Sequence, residues 1–169
     1  MDPTDLMLEH DQWLTSSLID AAGRLPEATV DQPVPLAPAS GAFGEPATIR
    51  SMLDRLVWTR EMWTAAVAGR TLAEGQDTSI EALRRRWQAA GAEFRRLVGQ
   101  VREQGGWDQA FVDATCDPPQ TFTFRGMLAH VLTWTAHRRM LLVAALRTHE
   151  AEIPHSDPIS WEPSQPSIS

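Results

Sequence analysis

The sequence has little of three things: cysteine, long apolar runs and positive charge. Its only cysteine, Cys116, cannot form an intramolecular disulfide. No stretch approaches the roughly 18 consecutive apolar residues of a membrane helix, and no charged region followed by an apolar one opens the chain as an export signal would. We therefore expect a cytoplasmic protein with no part in the membrane. The net charge of -7 argues against nucleic acid as a partner, because a phosphate backbone selects a cationic surface.

Four segments with a helical period are what the sequence does contain. The first spans residues 3–22, with Asp2 as its N-cap and Gly23 and Pro26 at its end. Its core-facing residues recur every three or four positions and are Leu6, His10, Trp13, Leu14, Ser17, Leu18 and Ala21. The second spans residues 47–68, and one face carries Ile49, Met52, Leu53, Leu56, Trp63 and Val67. Both are predicted to bury these faces.

The third and fourth segments complete the set. Thr78 followed by Glu81 predicts a capping box at the start of the third helix, which Gly105 and Gly106 end. Its stripe consists of Ile80, Leu83, Trp87, Ala90, Phe94, Leu97, Val98 and Val101. The fourth helix runs from Phe124 to about His149 with Thr123 as N-cap. Its predicted inward stripe is Met127, His130, Trp134, His137, Leu141 and Ala144.

The connecting segments are rich in residues that break helices. Between Leu25 and Pro46 the chain carries Pro26, Pro33, Pro35, Pro38, Gly41 and Gly44, which predicts a long loop. We therefore predict an all-α, antiparallel four-helix bundle over residues 1–150 and an extended Pro-rich tail over residues 151–169. Only Ile159 and Trp161 look able to hold this tail against the bundle.

Three stretches resemble a known family. They are His10-Asp11-Gln12-Trp13 with the later Leu25-Pro26, Thr48-Ile49-Arg50-Ser51-Met52-Leu53-Asp54-Arg55-Leu56 with Arg60-Glu61-Met62-Trp63, and His130-Val131-Leu132-Thr133-Trp134-Thr135-Ala136-His137-Arg138-Arg139. Together they resemble the first, second and last helices of the DinB-like superfamily. The resemblance implies a four-helix bundle, possible dimers, and relatives that include metal-dependent enzymes and low-molecular-weight thiol transferases.

The resemblance also implies where a metal would lie. In metal-binding members the ligands are three histidines, which align with Arg55, Trp134 and Arg138 here. Neither arginine nor tryptophan offers a lone pair to a cation, so we expect a degenerate site without metal. The alternative is a divalent metal held by His10, His130 and His137. His130 and His137 are seven residues apart, about 10 Å along a helix, which makes a shared ion difficult.

The expected pocket combines the aligned positions with their neighbours. Its candidate residues are His10, Arg55, Trp58, Glu61, His130, Trp134, His137 and Arg138. A cation inside a bundle needs a counter-charge, and for Arg55 and Arg138 this is Glu61 or Asp54, or else an anionic ligand. The structural interpretation of the histidines and tryptophans is that they are ordinary core residues. Nothing near Cys116 lowers its pKa, so we do not expect a catalytic thiolate.

Three functions follow as hypotheses. The first is a small-thiol transferase or a related small-molecule enzyme in which arginine or histidine replaces the metal. The second is a non-catalytic, metal-free module that binds a small anionic or aromatic molecule. The third is a structural homodimer. Whether the protein is an enzyme stays open at this point.

Overall fold

The computed structural model describes residues 2–34, 48–114 and 116–162 of the 169-residue chain. Its elements are α1 (Pro3–Gly23), α2 (Glu27–Val30), α3 (Ile49–Val67), α4 (Ile80–Glu103), β1 (Ala110–Asp113), β2 (Gln120–Thr123), α5 (Phe124–Arg147) and α6 (Pro158–Trp161). The described part is therefore mostly helical, and the four predicted helices correspond to α1, α3, α4 and α5. Within it, no helix combines the length and apolar character needed to cross a bilayer.

Side chains cap the starts of the long helices, largely as predicted. Asp2 accepts a hydrogen bond from the backbone N–H of Thr4 at 2.6 Å, and Thr123 accepts one from Gly126 at 3.2 Å. These contacts satisfy N–H groups that have no partner inside the helix. Both predicted caps are confirmed.

The capping box predicted at the start of α4 is wrong. Ser79, one residue after Thr78, is the N-cap, and its hydroxyl accepts a hydrogen bond from the N–H of Ala82 at 3.3 Å. The carboxylate of Glu81 instead accepts from Arg84, one turn further along α4. A side-chain ion pair has therefore replaced the backbone contact that a capping box requires.

The long helices bury two apolar clusters. The larger cluster takes residues from the second halves of α1 and α5 and the first halves of α3 and α4, among them Leu18, Leu53, Trp87, Leu142 and Leu146. The smaller cluster takes residues from the opposite halves, among them Leu8, Trp63, Phe94, Met127 and Val131. Helices α1 and α3 each pack against both α4 and α5. Between the two apolar clusters lie three buried charged residues, Asp11 on α1, Arg60 on α3 and Arg139 on α5.

Helices α3 and α4 lie side by side and run in the same direction, so the antiparallel arrangement predicted from the sequence is wrong for this pair. Arg50, near the start of α3, donates from Nη1 to the carbonyl of Thr78 at 3.1 Å, just before α4 begins. Arg70, after the end of α3, pairs with Glu93 in the second half of α4. Residues 68–79 must therefore return along the length of α3 to start α4. This crossover segment determines where one cavity of the protein lies.

A two-stranded antiparallel sheet precedes α5 and was not predicted. β1 pairs with β2 in a register that places Phe111 opposite Phe122. Both rings pack edge-on against Trp63, with centroids 6.3 Å and 5.6 Å away. Strands of four residues are too short for a clear period, and this pair is held by a tryptophan far away in the sequence.

The Pro-rich loop and the tail contain more structure than predicted. Part of the loop forms α2, while the predictions for Pro35, Pro38, Gly41, Gly44 and Pro46 lie outside the described residues. The tail prediction is wrong at residues 158–161, which form α6 with Asp157 as N-cap. Trp161 holds the tail as predicted, since it is 5% exposed, but Ile159 is 78% exposed and does not.

Candidate functional site

A buried group of charged side chains connects α1, α3 and α5. The carboxylate of Asp11 accepts hydrogen bonds from Arg60 through Oδ2 and from Arg139 through Oδ1. The hydroxyl of Thr135 lies 3.3 Å from the same Oδ1. All four side chains are buried. The group is called the charge layer below, because it separates the two apolar clusters.

Aromatic rings hold Arg60 in the charge layer. Its guanidinium carbon lies 4.8 Å from the ring centre of Trp87 and 4.6 Å from that of Phe94, both on α4. Such contacts stabilise a cation that has lost its water. Burial raises the pKa of Asp11, but the charges of Arg60 and Arg139 outweigh this effect and leave it below its ordinary value. The carboxylate is therefore ionised, and the layer carries a net charge of +1.

Sequence reasoning missed the charge layer, although a signal was present. Asp11 falls within the buried stripe of α1, three residues before Leu14. Arg60 lies four residues after Leu56 and Arg139 three residues before Leu142, both core positions. Opposite charges in phase with three core stripes predict one shared buried network.

A second group of arginine and tryptophan side chains lies on the neighbouring faces of α3 and α5. The guanidinium carbon of Arg55 lies 4.6 Å from the ring centre of Trp58, and that of Arg138 lies 5.5 Å from the ring centre of Trp134. Nη1 of Arg138 also donates to the hydroxyl of Thr59 at 2.6 Å. Arg138 is buried and Arg55 exposed. Arg55, Trp58, Trp134 and Arg138 are called the cationic face below.

A row of rings continues this face along α5. His130 stacks on Trp134 with ring centres 6.2 Å apart, and Trp134 stacks on His137 at 5.4 Å. At the other end, His130 packs edge-on against Trp63 at 5.3 Å. The row is aromatic and lies next to the two arginines.

The prediction that His130 and His137 face inward is wrong, because both are exposed and Trp134 is half-buried. The buried stripe of α5 is turned by about one residue from the predicted one. It consists of Met127, Val131, Leu132, Thr135, Arg138, Arg139, Leu142, Val143, Ala145 and Leu146. The reason is the charge layer, in which Arg139 must face Asp11, and this contact fixes the rotation of the helix.

The predicted ion pairs of Glu61 and Asp54 with Arg55 or Arg138 are also wrong. Arg86 of α4 forms ion pairs with both carboxylates. Its Nε and Nη2 donate to the two oxygens of Glu61 at 3.0 and 2.8 Å, and its Nη1 donates to Oδ1 of Asp54 at 2.8 Å. Glu61 and Asp54 have no other ionic partner among the described residues. The parallel course of α3 and α4 brings Arg86 within reach of both.

His10 is buried as predicted, but it does not join the cationic face. Its ring centre lies 5.6 Å from that of Trp13 and 5.2 Å from that of Trp161, so it supports the C-terminal tail. Burial lowers the pKa of His10, and the charge of Arg139 adds to this effect. His10, His130 and His137 therefore do not come together. Nowhere in the described residues do three His, Cys, Asp or Glu side chains form a group able to hold a metal.

The positions aligned with the metal ligands of DinB-like proteins do lie close together. Arg138 packs over Trp134, and the positive charge of Arg55 acts on Arg138. The side chains there are two guanidiniums and an indole, all of them hydrogen-bond donors without a lone pair for a cation. These residues do not fit a divalent metal.

The cationic face holds two like charges, of which Arg138 is buried and Arg55 is exposed. Burial, together with the charge of Arg55, lowers the pKa of Arg138 to about 10, so it stays protonated at neutral pH. His130 is exposed but partly desolvated, and this desolvation together with the charge of Arg138 lowers its pKa, so the imidazole is mostly neutral at pH 7. An anion placed here would relieve the repulsion between the two guanidiniums.

Cys116 lies in the turn between β1 and β2, away from these groups. Its Sγ is 3.5 Å from Oδ2 of Asp113. Burial and this carboxylate raise the pKa of the Cys116 thiol. The shift opposes formation of a thiolate at neutral pH.

The chain is without a match in two comparisons with known proteins. No protein-family model matches it, and no curated protein matches it. The functional assignment therefore has to come from the chemistry of the cationic face.

Proposed function

We propose that this protein is a DinB-like four-helix bundle whose cationic face binds a small organic anion without a metal. The proposal rests on a local excess of positive charge in an acidic protein. The chain has a net charge of -7, yet Arg55 and Arg138 lie beside the charge layer with its net charge of +1. Helix α5 contains no acidic residue at all. The two carboxylates of α3, Asp54 and Glu61, are both held by Arg86.

The rings beside the arginines indicate the kind of anion. Trp58, Trp134, His130 and His137 offer flat apolar surfaces next to the guanidiniums. A carboxylate or sulfonate can accept paired hydrogen bonds from arginine while an aromatic body lies against these rings. The best-fitting ligand is therefore an aromatic or apolar carboxylate.

A small-thiol transferase is the second candidate, and His130 favours it. Two neighbouring cations stabilise a thiolate, and a neutral imidazole beside them can accept the proton that the thiol loses. The thiolate sulfur would then bond to an electrophilic carbon of a second substrate, which gives up its leaving group with the bonding electrons. This candidate uses the same face and adds one reaction to the proposed binding.

Thermal unfolding with three matched probes tests the binding proposal. Benzoate, benzyl alcohol and benzylammonium have similar size and differ in charge. A ligand of the folded state at 100 times its Kd stabilises by about 2.7 kcal/mol. We expect benzoate to raise the Tm and to shift the imidazole NMR signals of His130 and His137, and benzyl alcohol to leave these signals unchanged.

Two arginine variants supply the comparison. Arg55→Met keeps the length of the side chain and should abolish the effect of benzoate. Arg125→Met removes the same charge from an exposed ion pair with Asp108 at the start of α5, and should leave the effect intact. Equal loss in both variants, or no Tm shift with benzoate, would overturn the proposal.

Two further measurements address the metal and the thiol. Stoichiometric zinc or nickel in protein purified without a His-tag, lost in His130→Ala or His137→Ala, would overturn the metal-free assignment. Mercaptoacetate incubated with the protein and an alkyl halide separates the two candidate functions. Turnover that depends on His130 would favour the transferase, and binding without turnover would favour the non-catalytic module.

We also propose a homodimer in the cytoplasm. The exposed residues of α5 include Ala129, Thr133, Ala136 and Met140, none of them charged, and Met140 is 62% exposed. An uncharged helix face on an acidic protein supports self-association. Light scattering of the wild type and of Met140→Glu tests it, since a dimer held by this face should become a monomer in the variant.

A further inference from the structure

A cavity of about 620 Å³ lies between α3 and the crossover segment of residues 68–79. Its size falls within the range typical of small-molecule sites. Trp58 is its only lining residue that also belongs to the cationic face, and neither Arg55 nor Arg138 lines it. The cavity is therefore a separate place, with chemistry of its own.

One wall of the cavity is apolar. Trp58, Met62 and Ala65 follow one another at intervals of four and three residues, so they share one face of α3. Leu72, from the crossover segment, also lines the cavity. These side chains would surround the body of an apolar ligand.

The cationic side chains that line the cavity are already paired with carboxylates. Arg86 uses Nε, Nη1 and Nη2 in hydrogen bonds to Glu61, Asp54 and the carbonyl of Asp77. Arg70, at the rim, is paired with Glu93. Both guanidiniums are therefore already neutralised by carboxylates.

Carboxylate oxygens, in contrast, are available. Asp54 binds Arg86 through Oδ1, and within the described residues its Oδ2 accepts no hydrogen bond. The side chain of Asp54 is 34% exposed. Glu74, also a lining residue, forms no ion pair with any described residue. The accessible charge of the cavity is negative.

We propose that this cavity binds a small organic cation, with an ammonium group against Asp54 and an aromatic or branched apolar body against Trp58, Met62 and Leu72. The ring of Trp58 adds attraction for the cation. Arg55 lies over the same ring but does not line the cavity, and its exposed charge is screened by water. The site thus selects the sign of charge opposite to that selected by the cationic face.

The same three probes test this site with a different readout. In NMR spectra of the full chain, benzylammonium should shift the methyl signals of Met62 and Ala65 in a saturable way. Benzyl alcohol should do so at about tenfold higher concentration and benzoate not at all, because the difference is one charge near a carboxylate. Shifts at Met62 report this cavity, whereas shifts at His130 report the cationic face, so the two proposals can fail separately.

Two variants and a control make the test specific. Asp54→Asn should weaken benzylammonium binding about tenfold, while Asp20→Asn, which changes an exposed aspartate paired with Arg84, should not. Glu61 still holds Arg86 in Asp54→Asn, which favours a folded variant. Leu72→Trp should fill the cavity and abolish binding without changing any charge. Binding of benzoate at Met62, equal binding of all three probes, or full affinity in Asp54→Asn or Leu72→Trp would overturn the proposal.

Discussion

Replacing Asp11 by asparagine tests the charge layer most directly. The Asp11 side chain is 2% exposed, and its partners Arg60 and Arg139 are 1% and 8% exposed. The variant keeps the shape but leaves two buried guanidiniums without a counter-charge. Loss of one partner from a buried ion pair costs about 3–5 kcal/mol. The free energy of unfolding of such a domain is roughly 5–15 kcal/mol, so the variant should lose a large part of its stability.

Urea unfolding followed by tryptophan fluorescence measures this loss. With an m-value of about 2 kcal/mol per molar urea, the midpoint should fall by about 2 M at unchanged m. Asp20→Asn is the matched control, since it breaks an exposed pair with Arg84 and should cost less than about 1 kcal/mol. A loss in Asp11→Asn no greater than in this control would refute the account of the charge layer.

The pH dependence of stability provides a second test of the charge layer. The pKa of Asp11 lies below its ordinary value of 3.8, so the unfolded chain binds this proton more readily than the folded one. The stabilisation is therefore complete above pH 3.8 and is lost as the pH falls towards the folded pKa. Asp11→Asn should remove this part of the acid sensitivity. If the variant retains the full acid sensitivity of the wild type, the coupling to Asp11 is absent.

Three further predictions follow from the structure. Trp161→Ala should cost at most about 3–5 kcal/mol and expose residues 151–162 to limited proteolysis, because Trp161 is the buried anchor of the tail; an unchanged digest would contradict this. The pKa of His10 is below its ordinary value of 6.5, so the free energy of unfolding should fall as the pH drops below 6.5. His10→Gln should make the urea midpoint depend less on pH in this range, and parallel pH profiles of the variant and the wild type would contradict this. In an NMR titration, Arg138→Met should raise the pKa of His130 only part of the way to 6.5, because the partial desolvation of the ring remains; no rise would show that Arg138 does not act on His130.

The sequence by itself determined the extents of the long helices. The predicted bounds of α1, α3 and α4 differ from the observed ones by at most two residues, and α5 begins where predicted. These features depend on caps, prolines and glycines that act within one turn of the backbone. The buried stripe of α4, with Trp87, Phe94 and Val98, was also predicted correctly, because its apolar residues have one consistent period and charged residues lie on the other side.

Only the tertiary structure decided which face of α5 is buried. Two stripes on this helix have almost the same period, one with His130, Trp134 and His137 and one with Arg138 and Arg139. By residue type the first stripe is the better core. The second is buried because α1 supplies Asp11, which is 128 residues away from Arg139 in the sequence. Folding likewise brings Arg86 into contact with Glu61. Glu61 therefore pairs with Arg86, and Arg55 stays on the cationic face.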